Sequence, residues 1–258
     1  MNILEAIILG IIQGLSEFLP ISSSGHLLVF HEVFGITASD NLTFIIVLNM
    51  GSLVPLLYVF RKDILELLKR PFQKLTLLLV IATIPLVAVT LLFEQHIEAL
   101  FFTVQFLPFA FLITGVALFV SDRLNKNKKE MKDITVVDAA IVGLAQAVAV
   151  VPGISRSGST ITATMARGVK REQAAKFSFL MSIPAAIGAM VFRLTRIIGD
   201  PLLLEGLNVP NLIAGFIAAA VSGYFAINFM LKLVKTAKLK YFAVYYIVAI
   251  VLLIIVLF

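Results

Sequence analysis

Six stretches of the chain stay apolar for about the 20 residues that a helix needs to cross a bilayer. They are 41–60, 76–94, 100–121, 172–195, 209–231 and 241–258, and the pattern predicts a membrane-spanning helix over each. Two further apolar regions, 3–33 and 135–168, are interrupted midway by Pro, Gly and Ser. The first interruption reads Leu19-Pro20-Ile21-Ser22-Ser23-Ser24-Gly25-His26, the second Pro152-Gly153-Ile154-Ser155-Arg156-Ser157-Gly158. Neither half of either region is long enough to span. Each therefore predicts a re-entrant helix–break–helix hairpin, because irregular backbone survives at membrane depth only where protein or a wet cavity covers it. The predicted fold class is an all-α polytopic membrane protein with six full transmembrane helices and two re-entrant hairpins.

The polar segments between the runs assign sides. The loops 61–74, 123–132, 167–176 and 232–240 hold all but three of the 21 Lys and Arg residues, the exceptions being Arg156, Arg193 and Arg196. Six crossings and two non-crossing hairpins put these four loops on one side, and the positive-inside rule makes that side the cytoplasm. The opposite face then carries Glu5, Glu32, Asp40, Glu94, Glu98, Asp200 and Glu205, and both termini are expected there. Arg193 and Arg196 are expected to snorkel to the external head groups. Composition agrees with this division. Of 258 residues 60% are hydrophobic and 14% charged, with mean hydropathy +1.04, against about 25% charged in an ordinary soluble domain. A soluble globule and a disordered chain are both excluded. The net charge of +6 lies in loop clusters, so nucleic acid is not an expected partner. With no Cys there is no disulfide, and residues 1–19 lack the basic start of a cleaved signal peptide.

The two broken regions resemble each other. Displaced by 133 positions, Gly10 matches Gly143, Gln13 matches Gln146, Ile21 matches Ile154, Ser22 matches Ser155, Ser24 matches Ser157 and Gly25 matches Gly158. The chain thus divides into a first repeat (1–121), a basic cytoplasmic linker (122–134) and a second repeat (135–258). Three crossings per repeat make the second upside down relative to the first, an inverted-topology plan that places a site where broken helices meet.

The matched positions that differ carry the candidate chemistry. Glu17, Ser23 and His26 face Val150, Arg156 and Ser159. An arginine in an apolar segment costs at least ~2.5–3.5 kcal/mol on insertion scales, and a phosphate is its best bidentate partner. Ser155 and Ser157 flank it with hydroxyls, Gly153 and Gly158 admit close backbone approach, and Ser22, Ser23 and Ser24 can cap a half-helix whose N–H groups point at an anion. A hydroxyl beside an imidazole can serve as nucleophile and base, and a carboxylate can orient that imidazole or hold a divalent cation on phosphates. Structural readings stand beside these. Ser24, Ser159 and Gly10-x-x-x-Gly14 suit helix packing, Gln13 suits satisfaction of backbone at the break, and Glu17 with Arg156 suits a structural ion pair. His31 and His96 are expected near the membrane interface.

The segments from Gln13 to His26 and from Pro152 to Thr160 resemble the two signatures of the BacA/UppP undecaprenyl-diphosphate phosphatase family. The resemblance implies hydrolysis of undecaprenyl diphosphate to undecaprenyl phosphate and inorganic phosphate. That activity recycles the lipid carrier of cell-wall synthesis and is associated with bacitracin resistance. It further implies interlocked inverted repeats in a bacterial cytoplasmic membrane, with the site open to the external face. By position, Ser23 and His26 correspond to a nucleophile and base, and Arg156 to the phosphate-binding residue. Gln13, Ser22, Ser24, Gly25, Ser155, Ser157 and Gly158 become substrate-binding residues. Gln13 and Glu17 fill the Glu/Gln-x-x-x-Glu motif, so Glu17 is the candidate ligand for a divalent cation, Mg2+ or Ca2+. Attack by Ser23 through a phosphoserine and attack by water activated at His26 both fit these residues. The expected partners are the polyprenyl diphosphate, membrane lipid and a second copy of the chain in a homodimer. The competing function is a transporter or flippase of a polyprenyl phosphate, which would need the anion site but no nucleophile.

Overall fold

The structure, a computed structural model, describes residues 1–36, 38–100, 103–124, 128–199, 208–236 and 239–257. The side chains of Asp40, Glu98, Arg193, Arg196, Asp200 and Glu205, assigned above to the external face, lie outside the described residues. The described residues form helices joined by turns and short loops, without a β-strand beyond an isolated bridge between Lys129 and Val169. In the first repeat α1 (Ile3–Phe18) and α2 (Ser23–Phe34) flank the first break, followed by α3 (Ala38–Val59), α4 (Arg61–Lys69), α5 (Lys74–Leu92), α6 (Glu94–Leu100) and α7 (Leu107–Ser121). In the second, α8 (Val136–Val148) and α9 (Arg156–Ala166) flank the second break, followed by α10 (Arg171–Gly199), α11 (Val209–Thr236) and α12 (Lys240–Leu257).

The hairpins are built by the same local devices. A capping box starts each: Asn2 with Glu5 on α1, Thr135 with Asp138 on α8. After the breaks, Ser22 caps α2 through the Gly25 N–H at 3.4 Å, and Ser155 caps α9 through the Gly158 N–H at 3.1 Å. The repeats interlock, with α1 packing on α11 and α8 on α5. A Cβ on Gly10 would lie 2.4 Å from the Gly215 carbonyl oxygen, and one on Gly143 would lie 2.6 Å from that of Ala82. Ala82 and Gly215 are themselves matched by the displacement that matches Gly10 with Gly143, so one backbone contact is made twice.

Ion pairs and hydrogen bonds gather the four basic loops at one end of the molecule. Lys176 meets Asp63 at 2.5 Å, Lys170 meets Glu130 at 3.0 Å, Arg171 meets Asp122 at 2.7 Å and Lys235 meets Glu172 at 3.1 Å. Lys74 donates to the Lys132 carbonyl, and the Lys240 backbone N–H donates to Asp122. The start of α8 and the end of α9 are both here, since Arg167 and Lys129 meet Asp138 at 2.7 and 3.0 Å. At the other end Asn211 donates to the Met1 carbonyl at 2.8 Å. There Phe30 and Phe34 from the end of α2 pack with Ala6 and Leu9 from the start of α1. The two hairpins therefore enter from opposite ends.

The spans differ from expectation in detail. By length and composition, three described helices suffice to cross a membrane: Lys74–Leu92, Arg171–Phe192 and Val209–Thr236. A fourth path is Thr43–Val59 with Arg61–Lys69, bent by 76°. Within the stretch predicted over 100–121, Leu100 ends α6 and α7 begins at Leu107, because Pro108 fits the first turn of a helix and not its interior. Residues 101–102 lie outside the described residues. Loop 61–74 is not plain loop but carries α4, whose Ile64 and Leu67 pack on the core. Leu77, Phe109, Phe225 and Ile247 are all more than half exposed on α5, α7, α11 and α12, as a surface solvated by lipid requires.

Candidate active site

The site forms where the two breaks face each other. Gln13 and Glu17 are one helical turn apart on α1 and so share a face, with Gln13 Nε2 donating to Glu17 Oε2 at 3.1 Å. The chain then reverses over Leu19–Ser22. Ser22 adopts φ +68°, a conformation costly for a side chain with Cβ, by about 1–3 kcal/mol. That turn sets Ser23 at the start of α2, where its hydroxyl donates to Glu17 Oε2 at 2.6 Å. The other oxygen of Glu17 accepts from Arg156 Nη2 of the second break. Arg156 also lies 3.5 Å, through Nη1, from the Ser182 carbonyl.

These groups line a cavity of about 260 Å³ together with Ser24, Asn49, Ser52 and apolar side chains of α3, α5 and α10. Glu17 and Arg156 are 15% and 23% exposed. Each charge alone would be expensive in an apolar segment, and each neutralises the other across the repeats. The ion pair considered from the sequence is therefore formed, inside the cavity rather than apart from it.

Five of the sequence-predicted residues meet here: Gln13, Glu17, Ser23, Ser24 and Arg156. Ser22, Gly25, Ser155, Ser157 and Gly158 do not line the cavity and build the breaks instead. Ser22 and Ser155 spend their hydroxyls on the caps of their own helices. Ser157 donates to the Leu19 carbonyl at 3.1 Å, tying one break to the other. A Cβ on Gly25 would come within 2.9 Å of Gly153 Cα, so the breaks touch backbone to backbone.

His26 also departs from expectation, since Ser23 pairs with Glu17 and not with the imidazole. The ring lies between Phe111 and Tyr245, with centroids 5.4 and 5.7 Å away and interplanar angles of 24°. Its Nδ1 is 2.7 Å from the Ser22 carbonyl, which can only accept, so Nδ1 carries the proton. Nε2 is then the acceptor for the Tyr245 hydroxyl. One turn of α2 separates Ser22 from His26, so reaching back to that carbonyl aims the ring away from Ser23. His31, expected at the interface, is buried.

Three residues escaped the sequence reading. Asn49 and Ser52 receive Gln13 Nε2 at 2.8 and 3.4 Å, and Tyr245 holds His26. An amide in the otherwise apolar stretch 41–60 was a readable signal. Tyr245, in a run with two other tyrosines, gave none.

Residues 6–252 match the family described as Bacitracin resistance protein BacA. The chain belongs to that family. It is 44% identical over 245 residues to an undecaprenyl-diphosphatase of Carboxydothermus hydrogenoformans, covering 95% of this chain and 94% of the relative. It is 42% identical over 247 residues to one of Halothermothrix orenii, with the same coverage, and 39% identical over 266 residues to one of Methanobrevibacter smithii.

The chain has no cluster of three acidic or histidine side chains placed to hold a metal ion among its described residues. Glu17 is the cavity's sole carboxylate among the described lining. Its surroundings, the Ser23 hydroxyl and the Asn49 amide oxygen, are hard oxygen donors of the kind that Mg2+ and Ca2+ take. They do not amount to a protein cage. They fit a cation that is held largely by substrate phosphates.

Proposed function

We propose that this BacA-family chain hydrolyses undecaprenyl diphosphate to undecaprenyl phosphate and inorganic phosphate, recycling the lipid carrier and giving resistance to bacitracin. The observation that carries the reading is the Ser23 hydroxyl placed 2.6 Å from Glu17, whose other oxygen holds Arg156. A carrier that only binds and moves an anion has no use for a hydroxyl poised on a carboxylate.

The incoming terminal phosphate competes with Glu17 for the guanidinium, which offers five donors in a fork matched to phosphate oxygens. As Arg156 turns to the phosphate, Glu17 keeps its contact with the Ser23 hydroxyl and is placed to take that proton. Ser23 Oγ attacks the terminal phosphorus, its proton passes to Glu17, and the bridging P–O bond breaks with undecaprenyl phosphate as leaving group. Water then displaces phosphate from Ser23, and Glu17 returns the proton to the serine oxygen. Gln13, fixed by Asn49 and Ser52, holds the carboxylate in register. His26 serves as a brace: it pins the strained Ser22 turn and so positions Ser23. A divalent cation, with Glu17 as its protein ligand, would spread the negative charge on the phosphates of the bound substrate.

In the membrane, six segments cross and the hairpins α1–α2 and α8–α9 re-enter from opposite faces. The gathering of the basic loops at one end supports assigning that end to the cytoplasm. Both termini and the mouth of the site are then external. The test is phosphate release from undecaprenyl diphosphate by purified protein in detergent, with rapid-quench trapping of labelled phosphate on Ser23. Full activity in both Ser23→Ala and Arg156→Ala would overturn the reading.

A further inference from the structure

The polar cavity does not end at its apolar wall. Leu86, Ala185 and Ala189 line it and also line a second cavity of about 360 Å³ in the seam between α5 and α10. Val87 and Pro184 join that cavity in turn to a shallower groove of about 380 Å³ further along α5. The path thus runs from Arg156 and Glu17 past Leu86, Ala185 and Ala189 to the outside of α5, and the polar members of the seam's lining are Thr90 and Glu94. There Ile84, Val87 and Leu91 are 57%, 47% and 58% exposed on a surface that faces lipid. Its width at the start comes from α10, where Gly188 has no atom within 4 Å of the place its Cβ would occupy.

We propose that the α5–α10 seam binds the first isoprenoid units of the lipid substrate, with the diphosphate in the polar cavity and the remaining tail passing into the bilayer. This rests on the phosphatase reading and goes beyond it by assigning the tail a site. An apolar chain of one or two units' width, attached to an anion, is the ligand whose two ends match the two adjoining cavities. Water and free phosphate match only the first. Lipid is as apolar as the seam, so the seam adds little by the hydrophobic effect. What it supplies is alignment. A tail seated between α5 and α10 holds the terminal phosphorus in line with Ser23, and binding remote from the reacting bond serves orientation. A diphosphate with a five-carbon chain carries a single isoprenoid unit, reaches only the start of the seam and loses most of that alignment.

The test compares kcat/KM for undecaprenyl diphosphate and for a five-carbon prenyl diphosphate in wild type and Gly188→Phe. The variant's ring starts in open space and grows into the seam. The expected result is a fall of about tenfold in the ratio of long-chain to short-chain kcat/KM, carried mainly by kcat. An unchanged ratio overturns the assignment while leaving the phosphatase standing. A wild type inactive on both substrates overturns the phosphatase and this inference with it. Wild-type protein provides a second measurement independent of how the variant folds. A prenyl diphosphate with a photoreactive group on its second isoprene unit should label α5 and α10. Labelling confined to α1 and α11 would sink the proposal.

Discussion

The hairpins α1–α2 and α8–α9 share a scaffold and differ in chemistry. In both, a capping box opens the first helix, a glycine near mid-helix meets the backbone of the other repeat, and a serine caps the second helix. Their matched glutamines already part company. Gln13 reaches Glu17, Asn49 and Ser52, whereas Gln146 lies 3.4 Å from the Ala82 carbonyl, beside Gly143. Where the first hairpin has Glu17, the second has Val150, which lines the apolar seam. Where the second has Arg156, the first has Ser23. The positions that match hold the two halves together, and the positions that diverged make one asymmetric site from two symmetric breaks. Neither hairpin has a complete site, so the interlock is a requirement of the chemistry as well as of the fold.

The sharpest way to break this comparison is to return the second hairpin to neutrality. Arg156→Ala leaves Glu17 unpaired and removes the phosphate fork, and activity should fall by about 10²–10³-fold, the usual cost of losing one preorganised charge-stabilising group. Steady-state phosphate release checks this, with thermal melting in detergent separating lost chemistry from lost fold. Arg156→Lys should recover only part, because a point charge replaces a bidentate fork.

The capping boxes predict an unequal pair. Glu5 is at a solvent-facing helix start, whereas Asp138 is buried and faces Arg167 and Lys129. Burial raises its pKa, but the hydrogen bonds from Thr135, Arg167 and Lys129 outweigh burial and hold the carboxyl well below the ordinary value of 3.8. A depressed folded-state pKa means stability that is present above the unfolded value and lost only as pH falls below it. Asp138→Asn should therefore cost about 2 kcal/mol throughout the neutral range, toward the low side for a buried pair because both cations keep contact with water. Glu5→Gln should cost no more than about 0.5 kcal/mol. Equal shifts in melting would break the distinction between the two ends.

The interlock predicts an equal pair. Gly10→Ala and Gly143→Ala each drive a methyl into a backbone carbonyl of the opposite repeat. Each should destabilise by about 1–3 kcal/mol, as overpacking does, and the two melting shifts should agree. A large asymmetry would mean that the repeats contribute unequally to the interlock.

Much of this was legible in the residues. The apolar runs and their breaks located the hairpins, the loop charges located one end, the match between Gly10 and Gly143 marked the duplication, and the interlock came only from what the family resemblance implies. Glu17, Ser23 and Arg156 stood out because matched positions of the two repeats differ there, and because a charge is expensive inside an apolar segment. Periodicity could not tell which serines face the cavity. Ser22, Ser23 and Ser24 are consecutive, and their division into a cap and two cavity residues depends on where α2 starts. Nor could it show that the His26 ring turns back on its own helix, since that depends on Tyr245, 219 positions along the chain. The late start of α7 reflects Pro108, a residue visible in the sequence but outweighed there by the apolar run around it.

Tyr245 allows the smallest and most specific test. Its match in the first repeat is Leu112, which has no hydroxyl, so the His26–Tyr245 bond is another asymmetric feature. Tyr245→Phe keeps the ring stacked on His26 and removes only the donor to Nε2. The loss of one hydrogen bond is worth about 0.5–1.5 kcal/mol, a fall of roughly 2–12-fold in kcat. If His26 acts as a brace, KM and melting temperature should scarcely move, and Tyr245→Phe should lower the rate at which Ser23 becomes phosphorylated without changing the breakdown of the intermediate. If His26 instead activates water directly, freeing Nε2 from Tyr245 should speed that breakdown. Rapid-quench measurement of the two steps decides between a tyrosine that holds the first hairpin's strained turn in place and one that restrains a base.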